Sequence, residues 1–469
     1  MMSFINSLAG KYSLIGAITL VLLIPIAMIE QKIDERAGFQ QQVKEEISNG
    51  WAGEQKIVGP YLIVPFLLEW DSVVRDKSTG RNVAHHNTEP GRVALAMESL
   101  ELQGSVQSDL RYRGIYSVPV FTAELRFSGT MNLREVEQIK EQQHFSRFGE
   151  PYLVVGVTDQ RGFANQPELI LNGNADPFLP GGMQGVTISN RSGIRVELPE
   201  LLTEEAWFQL HRFEFLIKIR GTEILSIVPT ARQAKVSLTG DWPHPKFIGQ
   251  YLPNQRSVEE KGFQSQWQIS EIGTNIRRIL QMCVANDTEC QLLQDASMGM
   301  ELIEPVNVYS KSKRALKYAI LFIALSFAGF ILSELLSHVN IHTVQYIFVG
   351  LAIAMFYLLL LSLSEHLPFS MAYALSTFCC VSLLTSYGKY LLGSLRNGVI
   401  SGATTAGFYA VLYVILHSED YALLMGSLLL LIVLAVMMFV TRDMRELQLT
   451  SWADWGVSDE TSGTADQQV

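Results

Sequence analysis

The sequence predicts a polytopic α-helical membrane protein of six spans, one N-terminal anchor plus five C-terminal helices, with a large antiparallel β-rich domain inserted between them. Three observations carry this expectation. Residues 315–440 are dominated by apolar residues broken by short polar gaps. A further apolar run, YSLIGAITLVLLIPIAMI at residues 12–29, lies near the start. Between the two, residues 56–308 show β-branched and aromatic alternation punctuated by turn residues. Crossing a hydrocarbon core of ~30 Å takes about 20 apolar residues at a rise of ~1.5 Å each. Backbone polar groups find no water there, so the segments must be helical.

The totals agree. The chain has 469 residues, too many for one ordinary domain. Its 17% charged residues and mean hydropathy of +0.18 lie between those of soluble and wholly embedded chains. A net charge of -10 leaves no basic footprint, which argues against nucleic-acid binding. Four cysteines are too few for a disulfide framework.

The run at 12–29 follows Lys11 and leads into Glu30, Gln31 and Lys32 without a small-residue cleavage pattern, so residues 1–30 are expected to remain as an anchor. Residues 31–48 place Ile33, Phe39, Val43 and Ile47 on a thin stripe, predicting a helical extension. The β-rich domain, 31–310 with that extension, opens on IVGPYLIVPFLL at 57–68, where Pro60 and Pro65 mark an edge strand or bends. Further strands are expected near 93–106, 116–127, 152–157, 185–198, 208–220 and 234–239. The clearest, FEFLIKI, puts Phe213, Phe215, Ile217 and Ile219 on one face and Glu214 and Lys218 on the other. One helix is expected over 132–143. Turn chemistry at 172–174, 179–182 and 240–243 separates strands in a sandwich-like arrangement.

The C-terminal spans are expected at 315–336, 344–363, 368–384, 399–416 and 421–440, within a bundle of 311–445, and residues 446–469 as a disordered acidic cytoplasmic tail. With six spans, Lys11, Lys389, Arg396, Arg442 and Arg445 share one side, whereas the opposite short loops hold only Glu365, Glu419 and Asp420. Short-loop Lys and Arg mark the cytoplasm, which places both termini inside and the β-rich domain in the periplasm. Lys311, Lys313, Arg314 and Lys317 stand on the outer edge, against that pattern.

Several residues invite a chemical reading. Glu365 and His366 close a span at the outer edge, where carboxylate and imidazole would relay protons or hold a metal. A polar cap is the simpler reading, because no second such group continues a relay. Glu334, near an inner span end, is expected to snorkel or cap. Asp241 and His244, spaced i, i+3 among Trp242, Pro243 and Pro245, have the spacing for a metal or base site, but the two prolines around the His favour a rigid extended turn whose Trp packs into the core. His85 and His86, in a polar loop with Asn82 and Asn87, have the makings of a surface metal site, but adjacent histidines in a strand point to opposite faces, and no site is the simpler reading. Cys283 and Cys290 would close a small disulfide loop in an oxidising compartment, or stay free; Cys379 and Cys380 suit packing within a span. Gly398, Gly402 and Gly407 form a small-residue face for helix packing. Motifs for ATP binding, acyl hydrolysis, zinc hydrolysis or dithiol redox are absent, so no catalytic, cofactor or metal residue is assigned.

The stretches GPYLIVP (59–65), DWPHPKFIGQYLP (241–253), GFQSQW (262–267), KYAILFIALSFAGF (317–330) and QYIFVGLAIAMFYLLLLSLSEHLPF (345–369) resemble the CreD family. The resemblance runs from the first anchor to roughly residue 445. It implies a bacterial inner-membrane protein under the Cre two-component system, with a part in envelope integrity, colicin tolerance and β-lactam response. It implies no enzymatic activity or ligand, and the acidic tail and the Cys283/Cys290 pair lie outside the family pattern. The expected function is therefore non-enzymatic envelope maintenance, with the outer domain binding an envelope protein or cell-wall component and a link to a sensor kinase. A transporter or channel component and a membrane-tethered hydrolase are the alternatives. The sequence leaves homo-oligomerisation open.

Overall fold

The computed structural model describes residues 8–75, 82–181, 192–285, 290–304, 308–337, 341–391, 393–417 and 422–441. The expected acidic tail, Arg442 and Arg445, and the loop residues Glu419 and Asp420 lie outside them. The chain divides into two units, Met1–Asp34 with Val308–Val469, and Glu35–Asn307.

The helical unit begins with α1 (Leu8–Val21), which runs through Leu22 into α2 (Leu23–Trp51), whose residues from Glu35 onward belong to the second unit. It continues with α5 (Val308–Lys317), α6 (Ala319–Ser337), α7 (Thr343–Ser364), α8 (Phe369–Leu391), α9 (Leu395–His417) and α10 (Ala422–Thr441). Among the described residues four helices, Ser13–Trp51, Thr343–Ser364, Phe369–Leu391 and Leu395–His417, are long and apolar enough to cross a bilayer. A fifth crossing results if α5 and the start of α6 form one span bent by 44°. In α10 the apolar helix is shorter, Leu424–Val436. The first C-terminal span was expected to start at 315. The bend instead separates an amphipathic turn, with Tyr309, Ser312, Ala315 and Leu316 buried, from the apolar helix beyond it.

The second unit is a two-layer β structure. Its strands are β1 (Gln55–Arg75), β2 (Asn82–Arg113), β3 (Tyr116–Met131), β4 (Phe145–Phe148), β5 (Tyr152–Val157), β6 (Glu168–Leu171), β7 (Asn174–Pro177), β8 (Leu179–Pro180), β9 (Gly193–Glu197), β10 (His211–Thr222), β11 (Ile224–Val228), β12 (Ala231–Gly240), β13 (Pro245–Gly249), β14 (Gln255–Glu259), β15 (Gly262–Ser270) and β16 (Met298–Leu302). The first half of β2 pairs antiparallel with β1, from Tyr61↔Ala96 to Arg75↔Asn82. Its second half leaves that sheet, pairing antiparallel with β3 and parallel with β12. A strand that switches sheets in this way makes the corner of a sandwich. Between the layers lie Leu62, Val64, Leu102, Leu125, Phe215, Val236 and Trp267, all 2% exposed or less. On β10 the expected alternation holds, with Phe213, Phe215, Ile217 and Ile219 buried.

The opposite face of the first sheet is buried too. Val58, Tyr61, Ile63 and Val154 pack under α3 (Ile276–Ala285) and α4 (Cys290–Asp295) through Leu280, Cys283, Cys290 and Leu293. Burial on both faces explains why residues 57–68 are apolar without alternation. It also corrects the edge-strand reading of Pro60 and Pro65: β1 is central, with β2 on one side and β5 and β4 on the other. Pro60 falls in the register shift between Val58 and Tyr61, and Pro65 in the gap between the β5 partners, ending at Ile63, and the β4 partners, starting at Phe66. No ladder donor is needed at either place, which is where proline is tolerated. The helix expected over 132–143 shortens to Val136–Lys140, and His85 and His86 stand on β2 rather than in a loop.

Trp51, at the end of α2, and the residues after it belong to this unit and are held within it. Two guanidinium groups lie over the Trp51 ring, that of Arg111 at 4.6 Å and that of Arg220 at 5.0 Å from its centre. Asp159 Oδ2 accepts from Gly53 N at 3.0 Å and from Arg161 Nη2 at 2.7 Å. The Arg161 guanidinium, with the two backbone donors, holds the Asp159 carboxyl below its ordinary value. A depressed carboxylate stabilises the fold above the unfolded value of about 3.9 and loses that contribution as pH falls through the folded value. Asp159→Asn should therefore lower the melting temperature at neutral pH, and thermal unfolding across pH should show variant and parent converging in acid below that value.

Candidate functional site

Two groupings of polar side chains stand out among the described residues of the helical unit. Where α1, α6 and α7 meet, the Lys11 ammonium forms an ion pair with Glu334 Oε1, and Tyr346 Oη donates to Glu334 Oε2 at 2.9 Å. Glu334 and Tyr346 are buried. Glu334 thus neither snorkels nor caps; it faces inward as half of an ion pair. Close packing supports the arrangement, because a Cβ on Gly350 of α7 would meet Leu22 Cδ1 at 2.1 Å. In the sequence Lys11 stands only as a charge flanking the first apolar run. Its partner lies 323 positions away, and nothing local signals such a pairing.

The second place lies between α7, α8 and α9. Tyr373 Oη donates to Tyr409 O at 2.6 Å, and Tyr409 Oη meets Cys380 Sγ at 3.2 Å. Cys380 Sγ also reaches Ala352 O at 3.3 Å, while Cys379 is exposed. Nearer the short connection between α8 and α9, the two helices approach through glycines. A Cβ on Gly398 would lie 2.6 Å from Lys389 N, and one on Gly402 would lie 1.9 Å from Thr385 Oγ1. Gly407 faces nothing within 4 Å. Gly398→Ala should cost about 1–3 kcal/mol by overpacking, measured by thermal unfolding in detergent. Gly407→Ala is the control and should not destabilise.

At the end of α7, Glu365 accepts from Tyr309 Oη of α5 at 3.3 Å, whereas His366 is exposed. The two adjacent side chains are thus not joined into one site. In the β-sandwich unit, Asp241 Oδ1 accepts from Ser108 N at 2.9 Å and Ser108 Oγ at 2.5 Å. Trp242 Nε1 donates to Ile303 O at 3.1 Å and its ring packs on the core. Pro243 follows, Pro245 starts β13, and His244 is exposed. These contacts are those of a fixed turn. His86 Nδ1 lies 2.9 Å from Asp71 Oδ1, and this bond raises the imidazole above its ordinary value. Cys283 and Cys290 are joined by a disulfide beneath the outer face of the first sheet. Among the described residues no three His, Cys, Asp or Glu side chains gather as a metal site.

Among the described residues, four to five apolar helices long enough to cross a bilayer, with a large β-rich unit inserted after the first, define a multi-pass integral membrane protein. The family described as Inner membrane protein CreD matches residues 7–445. Inner membrane protein CreD of Escherichia coli (strain K12) is 33% identical over 434 residues, covering 92% of each chain. The chain belongs to the CreD family of inner-membrane proteins.

Proposed function

We propose that this is a non-enzymatic envelope-maintenance protein of the inner membrane, acting within a two-component-regulated stress response. It has six spans, with both termini cytoplasmic and the β-rich unit periplasmic, where it binds an envelope protein or cell-wall component. The observation that carries this reading is the bridged Cys283–Cys290 pair, since such bonds persist in oxidising compartments. The clustering of Lys11, Lys389 and Arg396 on one side of the proposed topology supports it.

Crosslinking the β-rich unit in living cells, with identification of what it captures, tests the reading. An envelope protein or intact cell-wall polymer is expected; recovery of cleaved sugars or peptides alone would favour a tethered hydrolase. Protease added outside spheroplasts should cut the β-rich unit, and a protected unit would overturn the topology. Replacing Glu365 by Gln and His366 by Asn should leave the envelope phenotype intact. The transporter reading draws its support from the pairing of half-buried Lys11 with buried Glu334, because ionisable groups inside membranes often mark conduction paths. Neutral replacement of both partners separates the two: retained function excludes a conduction role for them.

A further inference from the structure

We propose that the cleft between α8 and α9 seats an acyl chain of an anionic glycerophospholipid, whose phosphate is held by Lys311 at the end where α5 meets α8. The two helices touch through Gly398 and Gly402 near their connection. Toward the other end Tyr373, Tyr409 and Tyr413 stand between them, with the Tyr373 and Tyr413 rings 5.1 Å apart. The wedge so formed leaves an open cleft of about 970 Å³, lined by small residues such as Ala374, Ala406 and Ala410. Its α8 wall runs from Ser370 to Ser386, about 24 Å at ~1.5 Å per residue, most of the hydrocarbon thickness.

An empty cleft would leave its lining without dispersion partners on one side. The fluid available to fill it in a bilayer is hydrocarbon. A helix of a second copy, ~10 Å across, would engage only the mouth, because Gly402 closes the slot against Thr385. Charge identifies the headgroup. Phe369, the residue before Ser370, carries Lys311 Nζ 5.5 Å from its ring. Among the described residues Lys311 has no carboxylate partner, whereas Lys313 is taken by Asp34 at 2.6 Å. Lys311 is thus an ammonium beside an acyl-sized slot.

The full chain, purified in detergent and stripped of lipid, is titrated with phosphatidylglycerol and with phosphatidylcholine of identical chains. Native mass spectrometry counts bound lipid and thermal unfolding reads the stabilisation. Phosphatidylglycerol should bind about fivefold more tightly than phosphatidylcholine, the effect of one lysine at a membrane surface. Lys311→Gln should abolish that preference while retaining both lipids, and Ala410→Phe, filling the slot, should remove both at unchanged circular dichroism. If that variant misfolds, Ala410→Leu replaces it. Equal binding of the two lipids by the parent chain would overturn the headgroup assignment. Undiminished binding in the filled-slot variant, or a change of oligomeric state without loss of lipid, would overturn the acyl site.

Discussion

Glu334→Gln should destabilise the helical unit by about 3–5 kcal/mol, because it leaves the Lys11 ammonium without its counter-charge in a low-dielectric setting. The ion pair joins α1 to α6, and Tyr346 on α7 donates to the same carboxylate, so one substitution loosens three helices. Removing both charges is a different experiment. Lys11→Met with Glu334→Leu should recover most of the loss, since a buried pair often does no better than apolar residues of similar volume. The exchange Lys11→Glu with Glu334→Lys should also recover stability, and Tyr346→Phe should cost about 1.5–3 kcal/mol for one hydrogen bond to a charged group. Unfolding of the full chain in detergent reads all four. A double variant no better than Glu334→Gln alone would show that these side chains act independently.

Trp267→Ala should cost about 3–5 kcal/mol, a large share of the roughly 5–15 kcal/mol that holds a typical domain folded. The indole is fully buried between the layers, with Phe247 5.9 Å away ring to ring. Its Nε1 donates to Tyr251 O at 3.0 Å, so truncation opens a cavity and orphans a carbonyl together. Trp267→Phe keeps most of the volume and loses the donor, and should fall between. The loss should appear as a lower denaturant midpoint at an unchanged slope.

Trp267 also shows what the sequence carries. GFQSQW and DWPHPKFIGQYLP resemble the family, yet their residues serve packing: Phe263 and Trp267 fill the core, and Asp241 holds Ser108. The apolar helices were legible because lipid forces composition to declare them. The alternation on β10 was legible because one face is wet and the other dry. Three features were not. The apolar run of β1 looks the same whether a strand is at an edge or buried on both faces. The stripe of α3 (Ile276, Leu280, Cys283, Val284) is interrupted by arginines and a glutamine, which masks its period. Lys11 and Glu334 meet only because the tertiary fold joins α1 to α6.

The strand β2 belongs to both sheets of the β-rich unit, donating one half of its length to each. Neither layer can therefore melt, be excised or be exchanged between relatives without fraying the other. Amide hydrogen exchange along β2 should accordingly report a single global opening rather than two successive ones.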